Sequence, residues 1–254
     1  MQTAERVSHT DISDNYVFQR SQLAYYEAKK IVEGDVLEIG SGQGYGINII
    51  AEKANRYVAI DKFATDIHQP KNAPKIEFLN INVPPLSGLK DNSFDFVISF
   101  QVIEHIKKDR ELVAEVFRIL KPGGKYIVST PNIKTSLTRN PWHIREYTVK
   151  GFEKLLSNSF SKIDKKGVFG NEKIMEYYLE NKKGVEKITR FDIFNLQHIL
   201  PRQLLQIPYD ILNRRNRKNI LNRNNNLVAS IKMKDYFMDV ANDKCFDLFY
   251  IAEK

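Results

Sequence analysis

Val36-Leu37-Glu38-Ile39-Gly40-Ser41-Gly42-Gln43-Gly44-Tyr45-Gly46 carries the turn on which the fold class rests. A short apolar run with Glu38 near its end reads as a buried strand. The glycines at 40, 42, 44 and 46 then let the backbone turn sharply and a ligand come close. The stretch Gly44–Ala54 is expected to be a helix whose free amide N–H groups and positive dipole end face an anion. Asp61 closes the next apolar run about 20 residues on, where a carboxylate accepts both hydroxyls of a ribose. The pattern is that of a nucleotide-binding turn, yet the dinucleotide spacing G-x-G-x-x-G fails at every start. The last position is Tyr45 counted from Gly40, Ile47 from Gly42 and Ile49 from Gly44. Glu38 would also repel a pyrophosphate, whereas a ligand with an ammonium or sulfonium centre and one carboxylate suits a site of mixed charge.

Outward from this turn, the runs Asp35–Ile39, Arg56–Ile60, Lys75–Asn80, Phe94–Phe100 and Gly124–Thr130 alternate with helical stretches, the rhythm of a parallel α/β sheet. The runs are almost continuously apolar, as central strands covered on both faces are. Asp109–Leu120 is predicted as a helix stopped by Lys121-Pro122-Gly123-Gly124, and Asp14–Val32 as a helix capped by Ser13 or Asp14. Thr148–Ser159 reads as a further helix, and Phe160–Phe169 and Phe246–Ala252 as the last strands. Between these strands lies a polar, helix-like stretch containing Pro201, Pro208 and the basic run Arg214-Arg215-Asn216-Arg217-Lys218. The expected organisation is an N-terminal helical lid at 1–34, a core at 35–170 and 244–254, and a basic helical insertion or cap at 171–243. With 254 residues, 42% apolar and 28% charged, the chain can bury a sizeable core and is not wholly disordered. It has no apolar run of membrane-spanning length. The polar start MQTAERVSHTDISD lacks the pattern of a secretory signal, so a cytoplasmic protein is expected, with a peripheral position on the inner membrane face as a variant. The single cysteine, Cys245, excludes an internal disulfide and a thiolate zinc cluster.

The ordered set of motifs resembles the class I S-adenosylmethionine-dependent methyltransferases, in the branch shared by ubiquinone-biosynthesis-type and saccharide O-methyltransferases. EIGSGQG is similar to the family's glycine loop, AIDKF to its ribose-binding strand end, FLNINVPPL to its adenine segment and FDFVISFQVIEHI to its fourth strand. LKPGGKYIVSTPN resembles the lead into the fifth strand. The resemblance implies a Rossmann-like, mostly parallel seven-stranded sheet with helices on both faces and a helical insertion before the last strand. It implies S-adenosyl-L-methionine as cofactor, held by Glu38, Gly40, Ser41, Gly42, Gly44, Asp61, Lys62, Phe63, Asn82, Val83, Phe100 and Gln101. Asn82 stands where relatives usually carry Asp.

A neutral saccharide hydroxyl is a poor nucleophile, so a base is expected, and His143, His105 and Glu104 are the candidates. Glu104-His105 follows the fourth strand at the ligand-binding edge of the sheet, where the pair acts in catalysis or shapes the pocket. His143 lies in the loop STPNIKTSLTRNPWHIREYT, displayed for catalysis or packed beside Trp142. In that loop Arg139, Arg145 and Tyr147 hold an anionic or polyhydroxy acceptor or form ordinary salt bridges. The Glu-His pair with a later histidine is also similar to small-RNA terminal 2′-O-methyltransferases, which bind magnesium through two Glu and two His. Their first Glu falls on Gln101, so no metal is expected here. The expected reaction is O-methylation of a saccharide, glycolipid precursor or related small metabolite. An RNA 2′-hydroxyl, or a non-catalytic cofactor-sensing role, is the alternative. Residues 201–223 hold six basic residues against Asp210 alone, out of a net charge of +8. Arg214, Arg215 and Arg217 are thus candidates for peripheral contact with anionic lipid, ahead of nucleic acid.

Overall fold

The computed structural model describes residues 5, 7, 8, 10–62 and 76–254. Its sheet has the order β3-β2-β1-β4-β5-β8-β6-β7. The strands are β1 (Gly34–Ile39), β2 (Ala54–Asp61), β3 (Ile76–Asn80), β4 (Phe94–Phe100), β5 (Leu120–Pro131), β6 (Lys162–Gly170), β7 (Tyr236–Val240) and β8 (Asp247–Glu253). β3, β2, β1, β4 and β5 pair in parallel, and β8, β6 and β7 add antiparallel ladders. The apolar runs become central strands because both their faces are covered. Leu37, Val58, Val97 and Val128 pack on one side against α3 (Asp109–Ile119) and α4 (Val149–Leu156). Val36, Tyr57, Ala59 and Ile98 pack on the other against α1 (Asn15–Lys29) and α2 (Ile47–Ile50).

The sheet has eight strands rather than the expected seven, because β7 returns from within the insertion to pair with β6. The insertion is therefore not purely helical. It contains α5 (Glu172–Thr189), α6 (Leu196–Ile199), α7 (Arg202–Arg223) and α8 (Asn225–Ser230) before β7. Pro208 does not interrupt α7, which runs through it. Pro208 is exposed, so water can solvate the Leu204 carbonyl that the missing N–H leaves unbonded. The helix after the glycine loop is shorter than expected, a single turn of α2 followed by a 3₁₀ turn at Ala51–Lys53.

A third apolar cluster joins α1 to the insertion, with Tyr16 stacked on Tyr177 at 4.2 Å between ring centres. Beside it Asp14 does not cap α1 through its side chain. Its buried carboxylate accepts from Arg214 Nη1 at 3.0 Å on each oxygen and from Arg217 Nη1 at 2.8 Å. Two of the three arginines expected to meet lipid are thus internal ties between the first helix and α7. Removing one partner of a buried ion pair strands the others. Asp14→Ala is therefore expected to destabilise the fold by about 3–5 kcal/mol, lowering Tm by roughly 6 °C or more in a thermal melt. An unchanged Tm would refute this role.

Candidate active site

The sheet order reverses between β1 and β4, and their C-terminal ends open the crevice where ligands of such folds bind. The glycine loop leaves β1 here. Gly40 has φ +80°, and a Cβ on it would lie 2.3 Å from Val102 Cγ2, so only glycine lets the loop lie against the end of β4. Gly42 has φ +54°, with no atom of the described residues within 4 Å of where its Cβ would be. Its N–H donates to Asp61 Oδ2 at 2.9 Å, which joins the ends of β1 and β2. The buried Ser41 hydroxyl has no hydrogen-bond partner among the described residues. A glycine cradle, a carboxylate at its rim and a hydroxyl unsatisfied among the described residues fit a nucleoside ligand. Opposite stands Gln101 in the left-handed region at φ +57°, a strained position for a non-glycine residue at the mouth of the crevice.

Other expected cofactor contacts fall differently. Glu38 is buried, with Oε1 accepting from Tyr25 Oη at 2.8 Å and Oε2 from Tyr57 Oη at 2.6 Å. Burial raises its pKa above the ordinary carboxylate value. It holds Tyr25 against the loop, where the ring occupies the space that a Cβ on Gly46 would need. The Phe100 ring lies in the core, 4.8 Å from Tyr25 and 6.0 Å from Phe249 between centres. Lys62 and Asn82 are exposed and Val83 is half-buried, beyond the ends of β2 and β3. Phe63 lies outside the described residues.

The structure brings together His105 and His143, whose rings meet edge-on at 4.9 Å between centres. His105 Nδ1 lies 3.0 Å from the Trp142 carbonyl oxygen, which can only accept, so the proton sits on Nδ1 and Nε2 keeps its lone pair. Burial lowers the His105 pKa, which keeps the ring neutral near pH 7. His143 is the opposite case. Burial alone would lower its pKa, but Glu146 Oε1 at 2.7 Å from Nδ1 and Glu5 Oε2 at 3.2 Å from Nε2 raise it to about 10. Glu5 is correspondingly held at about 2, against its own burial, by His143 and Asn140. The sequence reading missed Glu5. It comes from the N-terminal segment, which carries no motif, and only the fold sets it beside the two histidines. Glu104 lies fully buried behind them, with Oε2 accepting from Thr130 Oγ1 at 2.9 Å and Oε1 unpartnered among the described residues. Burial raises its pKa to about 8, so it is mostly protonated at neutral pH.

Ligand atoms of Glu5, His105 and His143 lie within 4.8 Å of one another, a grouping that could hold a metal ion. The arginines of the loop are engaged elsewhere. Arg139 Nη1 donates to the carbonyls of Gln197 and Leu200, tying the loop to α6, while Arg145 and Tyr147 both bind Asp109. These bonds are internal ties of the loop.

His143 and Glu104 both have folded pKa values above their ordinary ones. Stability from their protonated forms is complete below about pH 4.5 for Glu104 and 6.5 for His143, and is lost as pH rises through about 8 and 10 respectively. Unfolding free energy is therefore expected to fall between neutral pH and about pH 10, and less steeply in His143→Gln. Denaturant titrations across that range check this, and equal slopes in the two proteins would contradict it.

Residues 37–128 match a family model described as a methyltransferase domain. A probable S-adenosylmethionine-dependent methyltransferase of Mycolicibacterium smegmatis is 38% identical over 175 residues, covering 66% of this chain and 68% of that protein. A ubiquinone biosynthesis O-methyltransferase of Rickettsia typhi is 28% identical over 132 residues, and the match covers 50% of this chain and about half of that relative, 51%. Among solved structures, the YcgJ protein of Bacillus subtilis superimposes with a TM-score of 0.53 at 16% identity, covering 93% of this chain and 98% of its own. At that identity the likeness is one of fold.

Proposed function

Because the chain belongs to the S-adenosylmethionine-dependent methyltransferases, we propose that it methylates a hydroxyl oxygen of a saccharide, glycolipid precursor or related small metabolite, with His105 as general base. Bound S-adenosylmethionine supplies an electrophilic methyl carbon on a sulfonium, open to in-line attack. The glycine loop and Asp61 hold and orient the cofactor's nucleoside, and alignment of the acceptor along the attack line supplies several kcal/mol of rate enhancement. The observation that carries the assignment is the 3.0 Å contact of His105 Nδ1 with the Trp142 carbonyl, which leaves Nε2 free to take the acceptor's proton. The imidazolium so formed is stabilised by Glu5 Oε2, 3.8 Å from Nε2. His143 is already protonated at neutral pH and cannot be the base. It serves as a fixed positive charge beside the developing alkoxide.

His143 is paired with Glu146 and Glu5, and the base assigned to His105 needs no metal, so the proposed reaction is metal-independent. The reading of an RNA acceptor is weakened by the burial of Arg214 and Arg217 against Asp14. The relative named as an O-methyltransferase supports oxygen as the acceptor atom. The test is transfer of labelled methyl from S-adenosylmethionine to cell extract separated into RNA, lipid-linked glycan, polysaccharide and small-molecule fractions, with and without chelator. Label in a glycan or small-molecule fraction that survives chelation is expected. Chelator-sensitive label in RNA would overturn the proposal and give Glu5, His105 and His143 to a metal.

A further inference from the structure

The insertion presents an apolar surface that the methyl-transfer reading does not use. Phe191, Ile193, Phe194 and Ile199, in and just before α6, are 73%, 78%, 71% and 70% exposed. On α7, Leu204, Ile207 and Ile211 are each more than half exposed. At about 100° per residue these three fall on one helical face together with Arg215 and Lys218, all within roughly 80° of arc. The outward face of α7 is thus apolar over its first turns and basic over its later ones, since Arg215 and Lys218 are exposed. The two apolar stretches line one cavity. It measures about 380 Å³ and is lined by Phe191, Leu196, Leu205, Pro208 and Leu212 together with Arg139 and Pro141 of the loop that carries His143.

The charges around this surface are mostly positive, with Asp11 beside Arg215 and Lys218 and the exposed Glu186 beside Lys187 as acidic groups at its edge. From Lys187 to Arg223 the only acidic residues are Asp192 and Asp210. Asp192 accepts from the backbone amides of Leu196 and Gln197 at 2.6 and 3.0 Å, and Asp210 from the Trp142 indole at 3.0 Å. Lys187, Arg190, Arg215, Lys218 and Arg223 are all exposed. The Arg190 guanidinium lies 4.8 Å from the centre of the Phe191 ring, a cation beside an aromatic at the edge of the patch. A second copy of the chain docked on this face would bring its excess of basic residues together, whereas an anionic lipid surface offers hydrocarbon to the apolar residues and phosphate to the cations.

We propose that the face formed by the 191–199 segment and α7 seats on an anionic lipid bilayer, with the apolar residues entering the headgroup boundary and Arg190, Arg215 and Lys218 meeting lipid phosphates. The seat adjoins the loop that carries Trp142 and His143, so a docked molecule would hold its site near the membrane surface. This proposal does not depend on the identity of the methyl acceptor.

The test is co-sedimentation of the full chain with phosphatidylcholine vesicles, with and without phosphatidylglycerol, at low and high salt. Binding is expected to require the anionic lipid and to weaken with salt. Arg215→Glu with Lys218→Glu is expected to lower partitioning at least tenfold, and so is Ile207→Asp with Ile211→Asp. All four positions are exposed, so circular dichroism and cofactor binding should stay as in the parent. Phe194→Ser gives a second, independent readout on the other apolar stretch. Failure to bind phosphatidylglycerol vesicles would overturn the proposal, and so would binding that all three variants leave unchanged. A dimer abolished by Ile207→Asp in a protein that ignores vesicles would assign the face to a second copy instead. Vesicle binding with no methylated product in any cell fraction would leave this inference standing and remove the catalytic one.

Discussion

His105→Ala is expected to lower the methyl-transfer rate by about 10²–10⁴-fold near neutral pH while leaving S-adenosylmethionine affinity within a few-fold of the parent. The size follows from what is removed. Nε2 of His105 is the unprotonated imidazole nitrogen of the histidine pair, because the Trp142 carbonyl fixes the proton on Nδ1 and burial keeps the ring neutral. Glu5 lies 3.8 Å away to balance the charge once the proton arrives. His143 cannot substitute, since Glu5 and Glu146 hold its own proton up to about pH 10. His143→Gln should therefore reduce the rate less than His105→Ala, losing an electrostatic contribution and keeping the base. The acid limb of the pH–rate profile should lie below 6.5, in keeping with the lowered His105 pKa. Single-turnover transfer by the two variants, with cofactor affinity measured separately, checks the ordering. Equal activity in His105→Ala and the parent would remove His105 from the chemistry.

Asp61→Ala is expected to weaken S-adenosylmethionine binding about 100-fold. A carboxylate accepting two ribose hydroxyls makes charge-assisted hydrogen bonds worth about 1.5–3 kcal/mol each, and their loss together gives at least that factor. The same side chain accepts the Gly42 amide at 2.9 Å, so its removal also loosens the loop proposed to hold the cofactor. Asp61→Asn keeps an acceptor and should lose less. Calorimetric titration distinguishes these outcomes, and unchanged affinity in Asp61→Ala would place the cofactor elsewhere.

The central sheet was legible because β1, β2, β4 and β5 are covered on both faces and so read as unbroken apolar runs between glycine- and proline-marked turns. β7 was not. Tyr236–Val240 is an edge strand with only Tyr236 buried, so its sequence carries neither an apolar run nor a long alternation. Asp14 looked like a helix cap because an acidic residue before a helix usually is one. Its partners Arg214 and Arg217 lie 200 residues or more away, and no local pattern announces them. The glycine loop and Asp61 were legible together because their spacing is local to one β-α-β unit. Glu38 was legible as a strand-end carboxylate, but Tyr25 and Tyr57, which engage both its oxygens, were visible only in three dimensions. The histidine pair was half legible. Sequence position put His105 at the sheet edge and His143 in a displayed loop, but their protonation states depend on Glu5, Glu146 and the Trp142 carbonyl, which folding brings within reach.

The most direct measurement is nuclear magnetic resonance of the product formed when the protein and ¹³C-methyl S-adenosylmethionine are incubated with the extract fraction that takes up label. A methyl carbon bonded to oxygen, in a saccharide, glycolipid precursor or related small metabolite, is expected. A methyl group on nitrogen, sulfur or carbon, or on an RNA ribose, would contradict it.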